Sequence, residues 1–299
     1  MTSFFKDLKN LKFNYKLGKK TWFGSGGNST FFIEINSVAS LQKLLKFVPY
    51  FVPIFVLGAG SNIIVRDGGF NGLTIKLSGI LKKINYNKSK RILTIGGAAR
   101  DSAISRFCEQ NSITDFEFLR GIPGTLGGNI KMNAGCYGKT ISDNLLDCNV
   151  ISRNGKVSNL KKEEIKFSYR KTSLDNDLII TSANFKVKLF KKKQISDKMK
   201  KIIKERSSSQ PVNYRTGGST FKNPPNQSAW KLIDKINYRG KSIGDASVSE
   251  KHANFLINNN YAKSIDLEIL GEEIREKVKK KYNINLDWEL LRIGKFKKI

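Results

Sequence analysis

The sequence predicts an α+β protein of three lobes, at 1–80, 81–206 and 207–299, on three observations. Residues 31–77 run strand, helix, strand, strand. Residues 121–138, GIPGTLGGNIKMNAGCYG, place six glycines in eighteen positions, with no heptad, alternation or repeat to explain them. Beyond residue 206, short strand patterns alternate with helices whose apolar residues recur at helical spacing. A chain of 299 residues also exceeds one ordinary hydrophobic core.

Composition narrows the class. Hydrophobic content of 39% with 26% charged residues is that of a globular chain. The longest apolar run, 47–57, is interrupted by Pro49, Tyr50 and Pro53 and is too short to cross a bilayer. The start, MTSFFKDLKNLKFNYK, lacks a signal-peptide core, and residues 1–20 read as a loose lead-in. Cys108, Cys136 and Cys148 form neither a C-x-x-C pair nor a disulfide framework. These features predict a soluble cytoplasmic protein without structural zinc or membrane insertion. The net charge of +29 raises a nucleic-acid reading, but 42 of the 54 basic residues are lysine. Nucleic-acid readers favour arginine's planar fork, and these lysines are spread along the whole chain. A solvated lysine-rich surface that attracts small anions is the better account.

In chain order, FFIEI (31–35) reads as a strand, followed by a helix capped by Ser37 with Leu41, Leu44, Leu45 and Val48 on one face. PIFVLG (53–58) reads as a buried strand, and apolar runs at 63–65 and 73–77 flank Gly68, Gly69 and Gly72. GAGSNI (58–63) is not a dinucleotide fingerprint. The third glycine that would admit a helix is Ile63, and strand-like residues follow it. What remains is a Gly-Ser-Asn turn able to offer donors to a diphosphate.

The second lobe continues with a strand at 91–96, a helix at 101–111 with Ile104, Phe107 and Cys108 facing in, and then the glycine-rich stretch. Glycine at that density suits positive φ or close approach to the main chain, and backbone N–H groups there form a nest for anionic oxygens. Strands follow at 146–152, 156–160 and 178–187, then a basic helix at 196–206 with Met199, Ile202 and Ile203 on its apolar stripe. The third lobe opens on a polar loop at 207–225 and a short helix at 228–233. A turn into a strand at 247–258, a helix at 266–282 and a closing strand at 286–294 complete it.

Six segments in this order carry a family resemblance: LGAGSNIIVRDGGFNG (57–72), GIPGTLGGNIKMNAGCYG (121–138), FSYR (167–170), GSTFKNP (218–224), VSEKHANFLIN (248–258) and LDWELLRIG (286–294). Together they resemble the UDP-N-acetylenolpyruvoylglucosamine reductase family and span nearly the whole chain. The resemblance implies a two-lobed FAD-binding region of the PCMH/vanillyl-alcohol-oxidase type plus a C-terminal α+β substrate-binding domain. It implies NADPH-dependent reduction of the enolpyruvyl ether of UDP-N-acetylglucosamine to UDP-N-acetylmuramate, a peptidoglycan precursor.

Matched position by position, the family's active-site arginine falls on Arg170, its serine proton donor on Ser219 and its glutamate on Glu289. In the reaction the resemblance implies, NADPH would reduce the flavin and hydride would then go to the terminal vinyl carbon, leaving charge that spreads into the adjacent carboxylate. Arg170 would hold that carboxylate, Ser219 would protonate the carbanionic carbon, and Glu289 would orient the carboxylate end. For FAD the match points to Gly58, Gly60, Ser61 and Asn62, and to Gly121, Ile122, Gly124, Thr125, Asn133, Ala134 and Gly135. For the UDP-sugar it points to Tyr169, Lys222 and Asn223. His252, the only histidine, reads as a structural hydrogen-bonder.

The chain departs from longer family members in two ways. The 48 residues between Arg170 and Ser219 leave no room for a tyrosine-bearing lid, which resembles the shorter type. Ser209 and Gln210 stand where longer forms carry a phosphate-binding lysine, so Lys222, Arg215 and Lys231 are the candidates for the diphosphate. Two other functions compete: a FAD oxidoreductase of the same fold with another substrate, and a basic nucleic-acid-binding protein. The segments outside the flavin lobes speak against the first. Among oligomeric states a monomer is favoured.

Overall fold

Two strands, Ser29–Ile35 and Phe70–Leu77, carry the chain back and forth between two units. One unit comprises Ile33–Ala59 and Thr74–Glu205; the other comprises Lys12–Phe32, Gly60–Leu73 and the stretch from Arg206. The computed structural model describes residues 10–297. Part of the lead-in expected to be loose therefore lies outside the described residues, and its remainder is a correction: Lys12–Tyr15 is a strand, antiparallel to Ser29–Ile35.

The first unit is built on an antiparallel five-stranded sheet, in the order Val157–Lys161, Leu145–Ile151, Ile179–Lys186, Ile92–Gly96, Ile84–Asn87. Period-two alternation sends Leu93, Ile95, Ala183 and Phe185 into the core. Leu145 and Cys148 both face inward although three positions apart, because a register shift between Leu145 and Asp147 absorbs the extra residue. The opposite face carries a polar ladder. Thr94 Oγ1 donates to Asn184 Oδ1 (2.7 Å), and Asn184 and Asn159 both donate to Asp147 Oδ1 (2.8 Å each). Helix Asp101–Gln110 buries Ile104 and Cys108 in the core, and burial also raises the Cys108 thiol's pKa.

Helix Val38–Phe47 starts where expected: Ser37 Oγ accepts from Ser40 N (3.1 Å), satisfying one orphan donor of the first turn. The neighbouring strand is shorter and less buried than expected, running Ile54–Val56 at intermediate exposure. The basic helix is longer, Lys192–Ser209. Ile195 replaces Ile203 on its buried stripe, and Ile203 is exposed.

In the second unit a four-stranded sheet orders Arg215–Ser219, Phe255–Asn258, Ala246–Val248, Ser242–Ile243. The expected polar loop at 207–225 is thus partly a strand, because Thr216 Oγ1 donates to Leu256 O (2.7 Å) and secures the edge. Helix Ser264–Tyr282 packs Leu267, Leu270, Ile274 and Val278 against Phe221, Leu232 and Leu256. Its start is fixed from far along the chain: the Asp67 carboxylate accepts from Ser264 N (3.1 Å) and Ile265 N (3.0 Å). The closing strand is only Leu291–Ile293 and pairs in parallel with Ile63–Val65.

Candidate functional site

The glycine-rich stretch is less of a loop than its composition suggests. Glu117–Gly121 is a 3-10 turn and Leu126–Met132 a helix, so only the connections between them are open. The turn into that helix is fixed by a buried carboxylate. Asp101, fully buried, accepts from Gly124 N (2.8 Å) and from Asn129 Nδ2 (2.6 Å). Burial raises its pKa to about 7, while the bonds from Asn129 and Gly124 and the charge of Arg100 pull the other way. A Cβ on Gly124 would stand 2.6 Å from both Asp101 Oδ2 and Asn129 Oδ1, so only glycine fits there. Leu126 N donates to Ala99 O (3.0 Å) and Gly127 N to Gly97 O (2.8 Å), seating the helix start on the neighbouring loop.

Thr125 precedes the helix, buried, with its Oγ1 2.9 Å from where a Gly58 Cβ would lie. The Gly58 carbonyl accepts from Lys76 Nζ. Lys76 is the only charged residue of strand Phe70–Leu77. Burial, and then the charges of Arg100 and Lys82, lower its pKa to about 8 against the pull of Glu34. At the far end of the helix Asn133 turns left-handed (φ 45°) and its Nδ2 donates to Ser168 O (3.0 Å). Its Oδ1 is buried with no hydrogen-bond partner. Ala134 N returns to Asn129 O (2.8 Å), and Gly135 pairs with Thr140. Gly121 and Ile122 close the 3-10 turn, half-buried.

Gly58, Thr125, Asn133, Ala134 and Gly135 therefore belong to one unit, in which the charge of Arg100 acts on Lys76. Gly60, Ser61 and Asn62 belong to the other unit, across the division at Ala59. Gly60 takes φ +70° and its carbonyl accepts from Trp22 N (2.8 Å). Asn62 Nδ2 donates to Glu289 O (3.0 Å), and Leu291 N donates to Asn62 O (3.1 Å). Within the first unit, an orphaned buried acceptor at Asn133, partly exposed main chain at Gly58, Gly121 and Gly124, and the positive field of Lys76 and Arg100 are features that suit a flavin dinucleotide.

Arg170 is at the tip of a hairpin, not within a strand. It and Tyr169 connect Phe167–Ser168 to Lys171–Thr172, with Ser168 paired to Lys171. Arg170 adopts φ +55°, a left-handed conformation that a non-glycine residue rarely takes, and its guanidinium lies 5.1 Å from the Tyr169 ring centre.

In the second unit Ser219 ends its strand at a bulge. Thr216 faces Ile257 and Ser219 faces Phe255, so one residue is extra, and Gly218 absorbs it at φ +82°. Buried Thr220 ties the neighbours together. Its carbonyl accepts from Glu289 N (2.9 Å), its N donates to Asn254 O (2.8 Å), and its Oγ1 accepts from Leu256 N (3.2 Å). Asn254 in turn pairs with the Phe221 backbone through both amide atoms (2.8 and 3.0 Å). Ser219 and Glu289, seventy positions apart, are thus carried on the two sides of one residue.

Lys222 is half-buried, its N bonded to Asp287 O (2.9 Å). Asn223 is exposed, with Oδ1 accepting from Ala229 N (3.0 Å) at the start of helix Ala229–Lys235. Of the diphosphate candidates, Arg215 donates to Asn260 O (3.0 Å) and Lys231 lies over the Trp230 ring. His252 Nδ1 accepts from Asn254 N (3.3 Å) and burial lowers its pKa, as suits a structural acceptor. Lys76, Asp101, Thr220 and Asn254 carry no motif that marks them in the sequence. The visible signal for the first was a lysine inside GLTIKL; the others look like ordinary cap and turn residues.

Among the described residues no group of His, Cys, Asp and Glu could hold a metal, and no helix is long and apolar enough to cross a membrane.

Comparison with known proteins identifies relatives of the chain. Residues 29–161 match the FAD binding domain family model, and residues 210–293 match the UDP-N-acetylenolpyruvoylglucosamine reductase C-terminal domain. The UDP-N-acetylenolpyruvoylglucosamine reductase of Rickettsia prowazekii is 44% identical over 285 residues, covering 95% of this chain and 96% of that protein. The reductase of the same name from Novosphingobium aromaticivorans is 42% identical over 93% of this chain and 94% of its own. The crystal structure of UDP-N-acetylenolpyruvylglucosamine reductase (MurB) from Thermus caldophilus aligns with a TM-score of 0.81 at 28% identity, covering 95% of this chain and 98% of that one. With an FAD-binding domain followed by the reductase C-terminal domain, and relatives matched nearly end to end, this chain belongs to the UDP-N-acetylenolpyruvoylglucosamine reductase family.

Proposed function

We infer that the chain is a FAD-dependent, NADPH-using UDP-N-acetylmuramate dehydrogenase that reduces the enolpyruvyl ether of UDP-N-acetylglucosamine in peptidoglycan precursor synthesis. The near end-to-end identity of 44% to a reductase of that name carries the reading. When bound and reduced by NADPH, FAD supplies the hydride for the terminal vinyl carbon.

The chain's own residues do the rest. Residues 1–80 and 81–206 act as the cofactor lobes, 207–299 as the substrate lobe. Gly58, Gly60, Ser61 and Asn62, with Gly121, Ile122, Gly124, Thr125, Asn133, Ala134 and Gly135, hold the cofactor through backbone and amide groups. Asn133 Oδ1 serves as an acceptor for a cofactor donor, which its lack of a protein partner supports. Arg170 grips the substrate carboxylate where charge grows; a forked cation is suited to that geometry. Ser219 delivers the proton to the carbon beside the carboxylate. Its position after the Gly218 bulge, backed by Thr220, supplies the fixed aim that a weak acid requires. Glu289, on the other side of Thr220, orients the carboxylate end. Tyr169, Lys222 and Asn223 bind the UDP-sugar, Asn223 from the start of helix Ala229–Lys235, where its Oδ1 accepts from Ala229 N. The cytoplasmic location belongs to the same reading.

The test is to separate the half-reactions of Ser219→Ala. Bleaching of the flavin band by NADPH should proceed at the parent rate. Reoxidation by the enolpyruvyl substrate should slow by about 10²–10⁴-fold. Equal slowing of both would remove Ser219 from the role of proton donor.

A further inference from the structure

Helix Val38–Phe47 ends in a tight turn whose aromatic residues face outward: Phe47 is 53% exposed, Tyr50 78% and Phe51 71%. Soluble proteins seldom leave three neighbouring aromatics in water without use. The turn is rigid, with Val52 N bonded to Pro49 O (3.0 Å) and Pro53 following. A second segment of the same unit braces it, the hairpin turn after strand Leu145–Ile151. Arg153 Nη2 donates to Pro49 O (2.7 Å) and Val52 O (2.9 Å), and its guanidinium lies 5.7 Å from the Tyr50 ring centre. Gln42 Nε2 donates to Gly155 O (3.1 Å), and the Lys46 stem packs against Gly155.

The charge around this tip is mainly positive. Lys43, Lys46 and Lys156 are exposed beside it. No Asp or Glu occurs between Glu34 and Asp67, nor between Asp147 and Glu163. Asp177 is the acid whose field reaches Arg153.

We propose that the Phe47–Tyr50–Phe51 tip with Lys43, Lys46 and Lys156 is a peripheral docking surface for an anionic lipid bilayer. Exposed aromatic rings on a braced turn suit the headgroup boundary, where one end is apolar and the other wet. Flanking lysines are attracted to anionic headgroups, and the stems of Lys43 and Lys46 let their ammonium groups spread over the surface. The chain rests on the membrane without a spanning segment. The alternative occupants, a second copy and an acidic protein, meet the same cations. A second copy brings its own +29, so charge disfavours it.

The experiment is vesicle co-sedimentation of the full-length, FAD-loaded protein with equimolar phosphatidylglycerol and phosphatidylcholine, against pure phosphatidylcholine. Binding should require the anionic lipid and weaken with salt. Lys43→Glu/Lys46→Glu and Phe47→Ser/Tyr50→Ser/Phe51→Ser should each lower partitioning by tenfold or more, since each cation near the surface is worth roughly fivefold. Lys279→Glu/Lys280→Glu, which changes net charge equally on another helix, should lower it much less. Tyr50→Trp fluorescence should be quenched by brominated lipid. Equal loss with the Lys279/Lys280 variant, or absence of quenching, would reduce the effect to bulk charge and overturn the proposal. So would a concentration-dependent dimer abolished by the aromatic variant, which would make the occupant a second copy. None of these readouts depends on the reductase activity.

Discussion

At the scale of single residues, the site rests on groups that are expensive to misplace. Asp101 is buried, and both its oxygens accept bonds from the glycine-rich turn. Its folded pKa, about 7, lies above the unfolded value of an aspartate. A raised folded pKa makes the contribution to stability greatest below the unfolded value, and it is lost as pH rises through about 7. Unfolding free energy should therefore decline between about pH 4 and pH 7 through this group, and denaturant titration of Asp101→Asn should show a flatter profile. The same variant should lose about 1–3 kcal/mol, because an amide cannot accept on both sides and leaves one buried donor unmade. Arg170, proposed to hold the substrate carboxylate, takes a left-handed conformation that is costly for a non-glycine residue. Arg170→Gly should relax its hairpin while abolishing carboxylate binding, whereas Arg170→Lys should keep the charge and lose the fork. The reading predicts that both lower kcat/KM by tenfold or more with the Tm of each within a few degrees of the parent. An unaltered kcat/KM in Arg170→Lys would remove the forked contact from the mechanism.

At the scale of elements, helix Ser264–Tyr282 sets intrinsic propensity against packing. Gly271 lies in its middle, where alanine would favour the helix by about 1 kcal/mol. A Cβ there, however, would sit 2.2 Å from the Trp288 ring, one residue before Glu289. Overpacking of that kind costs typically about 1–3 kcal/mol. Gly271→Ala should therefore destabilise in thermal melts, and it should perturb the backbone that holds Glu289 against Thr220. A stabilised variant would show that the Trp288 ring yields easily.

At the scale of the whole molecule, net charge and cofactor set the behaviour. A chain of +29 should capture an anionic nucleotide-sugar faster at low ionic strength, so kcat/KM for the UDP-sugar should fall as salt rises. Thermal stability should rise with added FAD. A hundredfold excess over Kd is worth about 2.7 kcal/mol, which differential scanning fluorimetry would register.

Much of this protein is written locally. Strand Ser29–Ile35, the Ser37 cap, helix Asp101–Gln110 and strand Ile179–Lys186 follow from period-two and helical spacing, because those patterns act between near neighbours. The family is legible too, because its six motif segments stand in order along nearly the whole chain. The sequence did not disclose the helix Leu126–Met132 inside a glycine-rich stretch: its propensity is poor, and burial of Leu126 and Ile130 decides it. Nor could it show the Gly218 bulge, the left-handed Arg170, or the Asp67 carboxylate capping a helix 197 positions downstream. Each depends on what another part of the chain presents at that spot. Local spacing fixes which residues form strands and helices; only long-range packing decides which polar groups those elements must satisfy, and where the chemistry is aimed.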